Sequence, residues 1–365
     1  MDDEIRTELV SILEQYDLGR LIWYERDERG TVNTSFAIET EQGGKRRKYF
    51  FRRYKAGVCT DELKFEHSII NFLKSNHFDI VAGVLPTRDG ETFIVRKSED
   101  NPNGVYYAIF DFLPGEDRYT WVGPICSDSE IVSSAEVLAT FHKFMSGFRP
   151  EGERLEPVIM ELLPVVDDRI SNCLAVNKGN VFEDYFHEKA LEYRRNLRET
   201  LEALHAILGE KCVKLVIHCD FHPGNLKFES GKAVGLFDLD WSKVDYRLFD
   251  VALAIYYFFV SWDGDQDGYL RLTDTRLFLR SYQIFLSNSP GLKPLTKTEL
   301  SCLPEMIAAA NLYVLNWTIM DYLQKDVDSI EYLGYLQHYY KTIQWLENEK
   351  NSLVLQALAL SISMD

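Results

Sequence analysis

The stretch VIHCDFHPGNLKF, residues 216–228, gathers two histidines, an aspartate and an asparagine around a proline and a glycine. It follows an apolar run, KLVI, that reads as a short buried strand. Two chemistries use such a set. His218, Asp220 and His222 at alternate positions would suit a metal hydrolase. Asp220 and Asn225, spaced D-x-x-x-x-N, would suit phosphoryl transfer. That reaction needs a carboxylate to take the proton of the attacking hydroxyl and an amide oxygen to hold magnesium against the phosphates. The surroundings discriminate. A metal hydrolase wants further histidine ligands downstream, and the next one is His338. A phosphoryl-transfer site wants a second acidic ligand on another strand end. Asp238 in VGLFDLDWS stands there, 13 residues past Asn225, with Asp240 placed to assist with a second ion.

The elements that must position these residues are legible in outline. Residues 4–16 carry apolar side chains at helical spacing. NTSFAIET and RKYFFRRY are β-rich runs, and Gly43-Gly44 between them reads as a hairpin turn. DELKFEHSIINFLKSN is an amphipathic helix, and ETFIVRK and VYYAIFDFL read as further strands. After LPGED the pattern turns helical, over roughly residues 129–146, 183–208, 246–260, 275–286, 297–325 and 328–348. The expected fold is α+β: a small N-terminal β-sheet lobe with one main helix, residues 1–113, then a large helical C-terminal lobe, residues 114–365.

HCDFHPGN followed by GLFDLDWSKVDYRLFDVALA resembles the aminoglycoside phosphotransferase and choline kinase-like family, in pattern nearest to type II homoserine kinases. KYFFRRY, KFEHSIINFL, IFDFLPGED and AEVLATFHKF extend the resemblance through most of the chain. It implies a protein-kinase-like, two-lobed fold. It also implies a small-molecule kinase that moves the γ-phosphate of ATP, or sometimes GTP, with magnesium, to a metabolite hydroxyl on a homoserine-, amino-sugar- or choline-like acceptor. A cytoplasmic protein is expected separately, from the scattered cysteines read as reduced thiols. Carried over by residue, Asp220 resembles the catalytic base, and Asn225 and Asp238 the magnesium ligands. Arg52 takes the strand position that meets the phosphates, where protein kinases have lysine; alternation turns Arg53 to the other face. Glu66 is its helix partner, with Glu62 one turn earlier as the alternative. Gly30 and Asn33 lie in the turn over the phosphates, and the backbone of Asp111, Phe112 and Leu113 is the adenine edge. His222 stands where protein kinases place a lysine near the transferred phosphate, and Asp250 resembles the aspartate that braces the loop. The rival reading is a silent binding protein on the same fold; the complete Asp220, Asn225 and Asp238 set argues against it.

Bulk properties narrow the partners. The chain has 365 residues, 46% of them apolar, so it can bury a large core. Its net charge of −17 disfavours nucleic acid. The charge is compatible with a cationic small-molecule acceptor, and it also serves solubility. Six scattered cysteines with no C-x-x-C pair argue against a disulfide framework or zinc site. The longest apolar run, residues 251–260, is too short for a bilayer, so no membrane partner is expected. A monomer or homodimer is expected. One feature stands outside the resemblance, and another concerns the acceptor, whose walls the resemblance puts on the helices after Asp250 and near the C-terminus. DGDQDGYLRLTD, residues 263–274, follows a calcium-loop pattern but ends in Asp274 instead of glutamate, and an acidic connector is the favoured reading. Asp263, Asp265 and Asp321, with Tyr256, Trp262 and Trp317, are candidates to meet a substrate ammonium.

Overall fold

A computed structural model describes residues 2–28, 32–97, 101, 103–208 and 212–363. The chain forms two compact units. The smaller holds the residues up to Gly115 together with two later segments, Arg149–Leu155 and Val234–Asp240. The larger holds the remainder.

In the smaller unit, helix α1 (Asp2–Leu13) precedes five strands: β1 (Arg20–Asp27), β2 (Thr34–Gln42), β3 (Lys45–Arg53), β4 (Ile94–Arg96) and β5 (Val105–Asp111). They form one antiparallel sheet in the order β1-β2-β3-β5-β4. Gly43 and Gly44 both take positive φ, +57° and +77°, the backbone a two-residue hairpin turn demands. Leu9, Ile12 and Tyr16 pack with Phe36, Ile38, Phe51 and Ile109 to make this unit's core. Helix α2 (Thr60–Ser75) lies between β3 and β4 in sequence. Glu62 fixes its start by accepting from the Cys59 N–H at 3.4 Å and pairs with Arg154 at 3.2 Å. Its roles in capping and in that ion pair leave Glu66, one turn on, as the acid facing β3.

The larger unit is helical: α3 (Asp128–Met145), α4 (Ile159–Leu174), α5 (Val181–Ile207), α6 (Arg247–Phe259), α7 (Leu272–Ser287), α8 (Lys297–Ser301), α9 (Leu303–Gln324), α10 (Ser329–Glu347) and α11 (Glu349–Ser361). Strand β6 (Lys214–Ile217) pairs antiparallel with β9 (Lys243–Tyr246). Strands β7 (Leu226–Glu229) and β8 (Lys232–Leu236) fall between them in sequence. Helix α6 is apolar on nearly every side and buried throughout, as its unbroken run requires. It carries two charged residues, Arg247 and Asp250, and Arg247 is wholly buried against Glu299 at 2.7 Å and the carbonyls of Lys293 and Pro294. No helix among the described residues is long and apolar enough to cross a membrane.

Three differences from the sequence expectation have local causes. The expected helix over 297–325 breaks at Cys302, and Pro304 sits in the first turn of the second piece, where its missing N–H costs nothing. Helix α4 was not anticipated, because Pro164 inside it reads as a breaker. Strand β1 was hidden by its charges: RLIWYERD is an edge strand with much of its length exposed.

Candidate active site

The candidate residues divide between the two units. In the smaller, Arg52 lies on β3 opposite Ser35 on one side and Ala108 on the other, two small neighbours that leave room for its side chain. It is 6% exposed, whereas Arg53 faces out. Its Nη2 donates to Asp238 Oδ1 at 2.7 Å and its Nη1 reaches Glu66 Oε1 at 3.4 Å. Glu66 Oε2 accepts from the Tyr54 hydroxyl at 2.9 Å, and that hydroxyl also meets His67 Nε2 at 3.0 Å. Burial works to lower the Arg52 guanidinium, but Asp238, Asp240 and Glu66 outweigh it and hold it firmly charged. Glu66 is pushed up to about 7 by burial, a rise that Arg52 reduces and the two aspartates reinforce. Burial, with the Arg52 charge, lowers His67 to about 3, so its imidazole is neutral.

Asp238 takes a left-handed backbone, φ +66°, a conformation that side chains other than glycine adopt at a cost and that is found at functional turns. Two residues on, Asp240 Oδ2 accepts from Asn33 Nδ2 at 2.7 Å, and Asn33 Oδ1 in turn accepts from the Lys55 N–H at 3.0 Å. Asn33 therefore ties the β1–β2 turn to the acidic pair. Gly30, predicted in the same turn, lies outside the described residues. At the predicted adenine edge, the Asp111 N–H is engaged by Gly83 O at 2.8 Å and its carboxylate faces Lys74 at 3.6 Å. Phe112 is exposed, and Leu113 is buried.

In the larger unit the loop after β6 is built around Asp250 on α6. Asp250 is fully buried; Oδ2 accepts from the His218 N–H and Oδ1 from the Cys219 N–H, both at 2.8 Å. His142 Nε2 stands 2.9 Å from Oδ2, and its Nδ1 meets the Tyr282 hydroxyl at 2.8 Å. This brace holds Cys219 at φ +65° and turns the next residue, Asp220, out of the core. Asn225 Nδ2 donates to both the backbone oxygen and Oδ2 of Asp220, each at 2.9 Å. With its nitrogen so engaged, the side-chain oxygen of Asn225 is the end left to face a cation. His222 Nδ1 accepts from the Gly224 N–H at 3.0 Å, which puts any ring proton on Nε2, 3.6 Å from Asp220 Oδ2. Burial works to raise the Asp220 carboxyl, but His222, His218 and Asn225 outweigh it and hold the group below the usual carboxylate range. The structure thus brings Asp220, Asn225 and His222 together in one unit, and Arg52, Glu66, Asn33 and Asp238 in the other.

The donor set fits a hard cation. Asp240 Oδ1 is buried and accepts no hydrogen bond, an orphaned oxygen beside Asp238. No group of three His, Cys, Asp or Glu side chains suited to an ion occurs among the described residues. A cation here would rest on few protein oxygens, the mode of magnesium, which keeps waters and phosphate oxygens as ligands.

Sequence reasoning missed a buried cluster beside the loop. Lys243 and Asp245 on β9 both point inward; Lys243 Nζ lies 3.6 Å from Asp245 and from Glu156, and donates to Pro157 O at 2.7 Å. The signal was there: in KVDY the charges alternate onto one face of a strand, and that face is the buried one. The proposed ammonium partners fare differently. Tyr256 is buried, Asp321 is paired with Lys325 at 2.8 Å, and Trp262 stacks on His338 at 3.5 Å. Asp263 and Asp265 are exposed on a single 3-10 turn. In the calcium-like segment, Asp267 is held by His338 at 2.5 Å and Lys341 at 2.7 Å, and Asp274 lies in α7, 3.5 Å from Arg271.

The chain is similar to known proteins along most of its length. The sequence profile of the phosphotransferase enzyme family matches residues 23–281, well over half of the chain. Homoserine kinase from Phenylobacterium zucineum is 23% identical over 336 residues, covering 89% of this chain and 90% of its own. Homoserine kinase from Nitrobacter winogradskyi is 24% identical, covering 92% of each. Among solved structures, a microcompartment-associated aminopropanol kinase superposes with a TM-score of 0.67 at 14% identity, covering 98% of this chain and 99% of its own. Spectinomycin phosphotransferase does so with a TM-score of 0.62 at 13% identity, covering 98% of each. The fold is therefore protein-kinase-like, with a five-stranded antiparallel sheet and a helical C-terminal part. The chain belongs to the phosphotransferase enzyme family, and it is a kinase that acts on a small-molecule hydroxyl.

Proposed function

We propose that this chain phosphorylates the hydroxyl of a small amine-bearing metabolite, with ATP as donor and magnesium as the ion. The observation that carries the reading is the state of Asp220. It is held ionised by its neighbours, half turned out of the core, and clamped by an amide whose oxygen remains for a metal. Bound magnesium would neutralise charge on the phosphates and hold them in place. Asp220 accepts the proton of the acceptor hydroxyl. Asn225 and Asp238 supply side-chain oxygens to the ion, with Asp240 at hand for a second. Arg52, oriented by Glu66, meets the phosphates, and His222 stands beside the transferred group. The turn at Gly30 and Asn33 covers the nucleotide, and the backbone at residues 111–113 meets its base. These roles divide the chain near residue 113, into a nucleotide-binding part and a part that holds the loop and the acceptor.

The acceptor class is supported by the relatives, whose names include homoserine and aminopropanol kinases. The test is ADP release with homoserine, aminopropanol, choline, an aminoglycoside and neutral sugars. Turnover is expected with an amine-bearing alcohol. Turnover confined to neutral sugars would overturn the acceptor class, and ADP release that persists undiminished in Asp220→Asn would overturn the base.

A further inference from the structure

One face of α9 carries a buried donor that no acceptor among the described residues matches. Tyr313, Asn316 and Trp317 lie three and four residues apart and so share that face. The Tyr313 hydroxyl donates to Glu156 Oε1 at 3.0 Å and lies 3.5 Å from the sulfur of Cys219, the residue before Asp220. The catalytic loop therefore touches α9 at the level of Tyr313. One turn on, about 5 Å along the axis, Asn316 is wholly buried and accepts a hydrogen bond from Arg169 Nη1 of α4. A guanidinium only donates, so the amide's oxygen must face Arg169 and its Nδ2 must face away. That buried Nδ2 has no acceptor.

Arg169 is equally unmatched. It is half-buried, its hydrogen-bond partner is a neutral amide, and no carboxylate stands within ion-pair reach of it among the described residues. Burial lowers its guanidinium, and Glu156 offsets this only in part. Nearby cations are matched: Lys243 has Glu156 and Asp245, and Arg194 has Asp167 at 2.9 Å. Trp317, half-exposed, stands beside Asn316, with the ring of Trp241 4.5 Å away. Among the described residues, neither donor group has a paired carboxylate within ion-pair reach, and a carboxylate is the one group that would satisfy both.

We infer that Arg169 and Asn316 bind a carboxylate of the acceptor, which makes the substrate a short hydroxy amino acid in preference to a simple amino alcohol. The inference rests on the kinase reading above for where the hydroxyl goes.

The test compares L-homoserine with 3-aminopropan-1-ol, the same amino alcohol without the carboxylate. Binding of each is measured by calorimetry, with magnesium and a non-hydrolysable ATP analogue present, to the wild type, Arg169→Gln, Arg169→Lys and Asn316→Asp. The wild type should bind homoserine at least about tenfold more tightly than 3-aminopropan-1-ol, in line with a charge-assisted pair. Arg169→Gln should erase that advantage and leave aminopropanol affinity and nucleotide affinity within about twofold, as loss of one charged partner predicts. Asn316→Asp gives Arg169 an internal carboxylate and should erase it too. Arg169→Lys keeps the charge and should keep part of the advantage, so the last two variants decide the matter if Arg169→Gln does not fold. Equal affinities in the wild type, no binding of either compound, or an advantage that survives Arg169→Gln and Asn316→Asp would overturn the inference. ADP release is followed in parallel: the predicted binding pattern without turnover of any acceptor would support the carboxylate site and reject the proposed reaction.

Discussion

Two carboxylates show how environment sets the task of a residue. Asp220 is held low by His222, His218 and Asn225 against the effect of burial, so it is ionised and able to accept a proton. Asp220→Asn should lower turnover by about two to four orders of magnitude, the range for a general base. Nucleotide affinity, read by calorimetry, should hardly change. Glu66 is the opposite case, raised to about 7 from 4.5, chiefly by burial. A raised carboxyl means that folding takes up a proton. Its contribution to stability is complete below the unfolded value and is lost as the pH climbs through 7. His67, lowered to about 3, acts in the other sense, its contribution present above its usual 6.5 and lost on acidification. Thermal melts of the ligand-free protein from about pH 5 to 8 should therefore decline less steeply toward high pH in Glu66→Gln than in the wild type. An unchanged slope would mean that Glu66 titrates as an ordinary glutamate.

At the scale of elements, the loop after β6 is only as firm as its brace on α6. Asp250→Ala would leave two buried N–H groups and His142 without their acceptor. The expected loss of stability is about 3–5 kcal/mol, at roughly 1–3 kcal/mol for each buried donor left unsatisfied. Urea midpoints give the measurement, and a loss under 1 kcal/mol would show that the loop holds itself. The same elements show what a sequence can and cannot disclose. The β2–β3 hairpin was legible because its turn needs glycine at two left-handed positions, and Gly43 and Gly44 stand there. The loop itself was legible because Asp220 and Asn225 must hang from one short rigid segment, which fixes their spacing. Asp250 could be placed only through resemblance, since a brace 31 and 32 residues away in the chain leaves no periodic trace. Helix α4 was lost to Pro164, yet α4 carries Arg169. The Arg169–Asn316 pair joins positions 147 apart in sequence, so no local pattern could reveal it.

For the whole molecule, the dominant long-range quantity is the net charge of −17. A nucleotide is itself strongly anionic, so the general field opposes its approach even where Arg52 would welcome it at close range. Salt shortens the reach of that field from about 30 Å at 0.01 M to about 10 Å at 0.1 M. The association rate of a fluorescent ATP analogue, followed by stopped flow, should accordingly rise over that range of salt. Basic nucleotide sites give the reverse trend. A falling rate would mean that local cations outweigh the whole chain's charge.

The 2.7 Å contact between Arg52 and Asp238 has a thermodynamic corollary. On the proposed assignment each of the two is the other's stand-in: Arg52 occupies the place of the metal for Asp238, and Asp238 that of a phosphate for Arg52. A nucleotide arriving without its ion would draw Arg52 away and strand an anion. An ion arriving without nucleotide would strand a cation. Only joint arrival exchanges both partners and conserves neutrality. Metal and nucleotide should therefore tighten each other's binding by one common factor, since linkage is reciprocal. Asp238→Ala, which abolishes the exchange, should bring that factor close to one in a two-ligand titration.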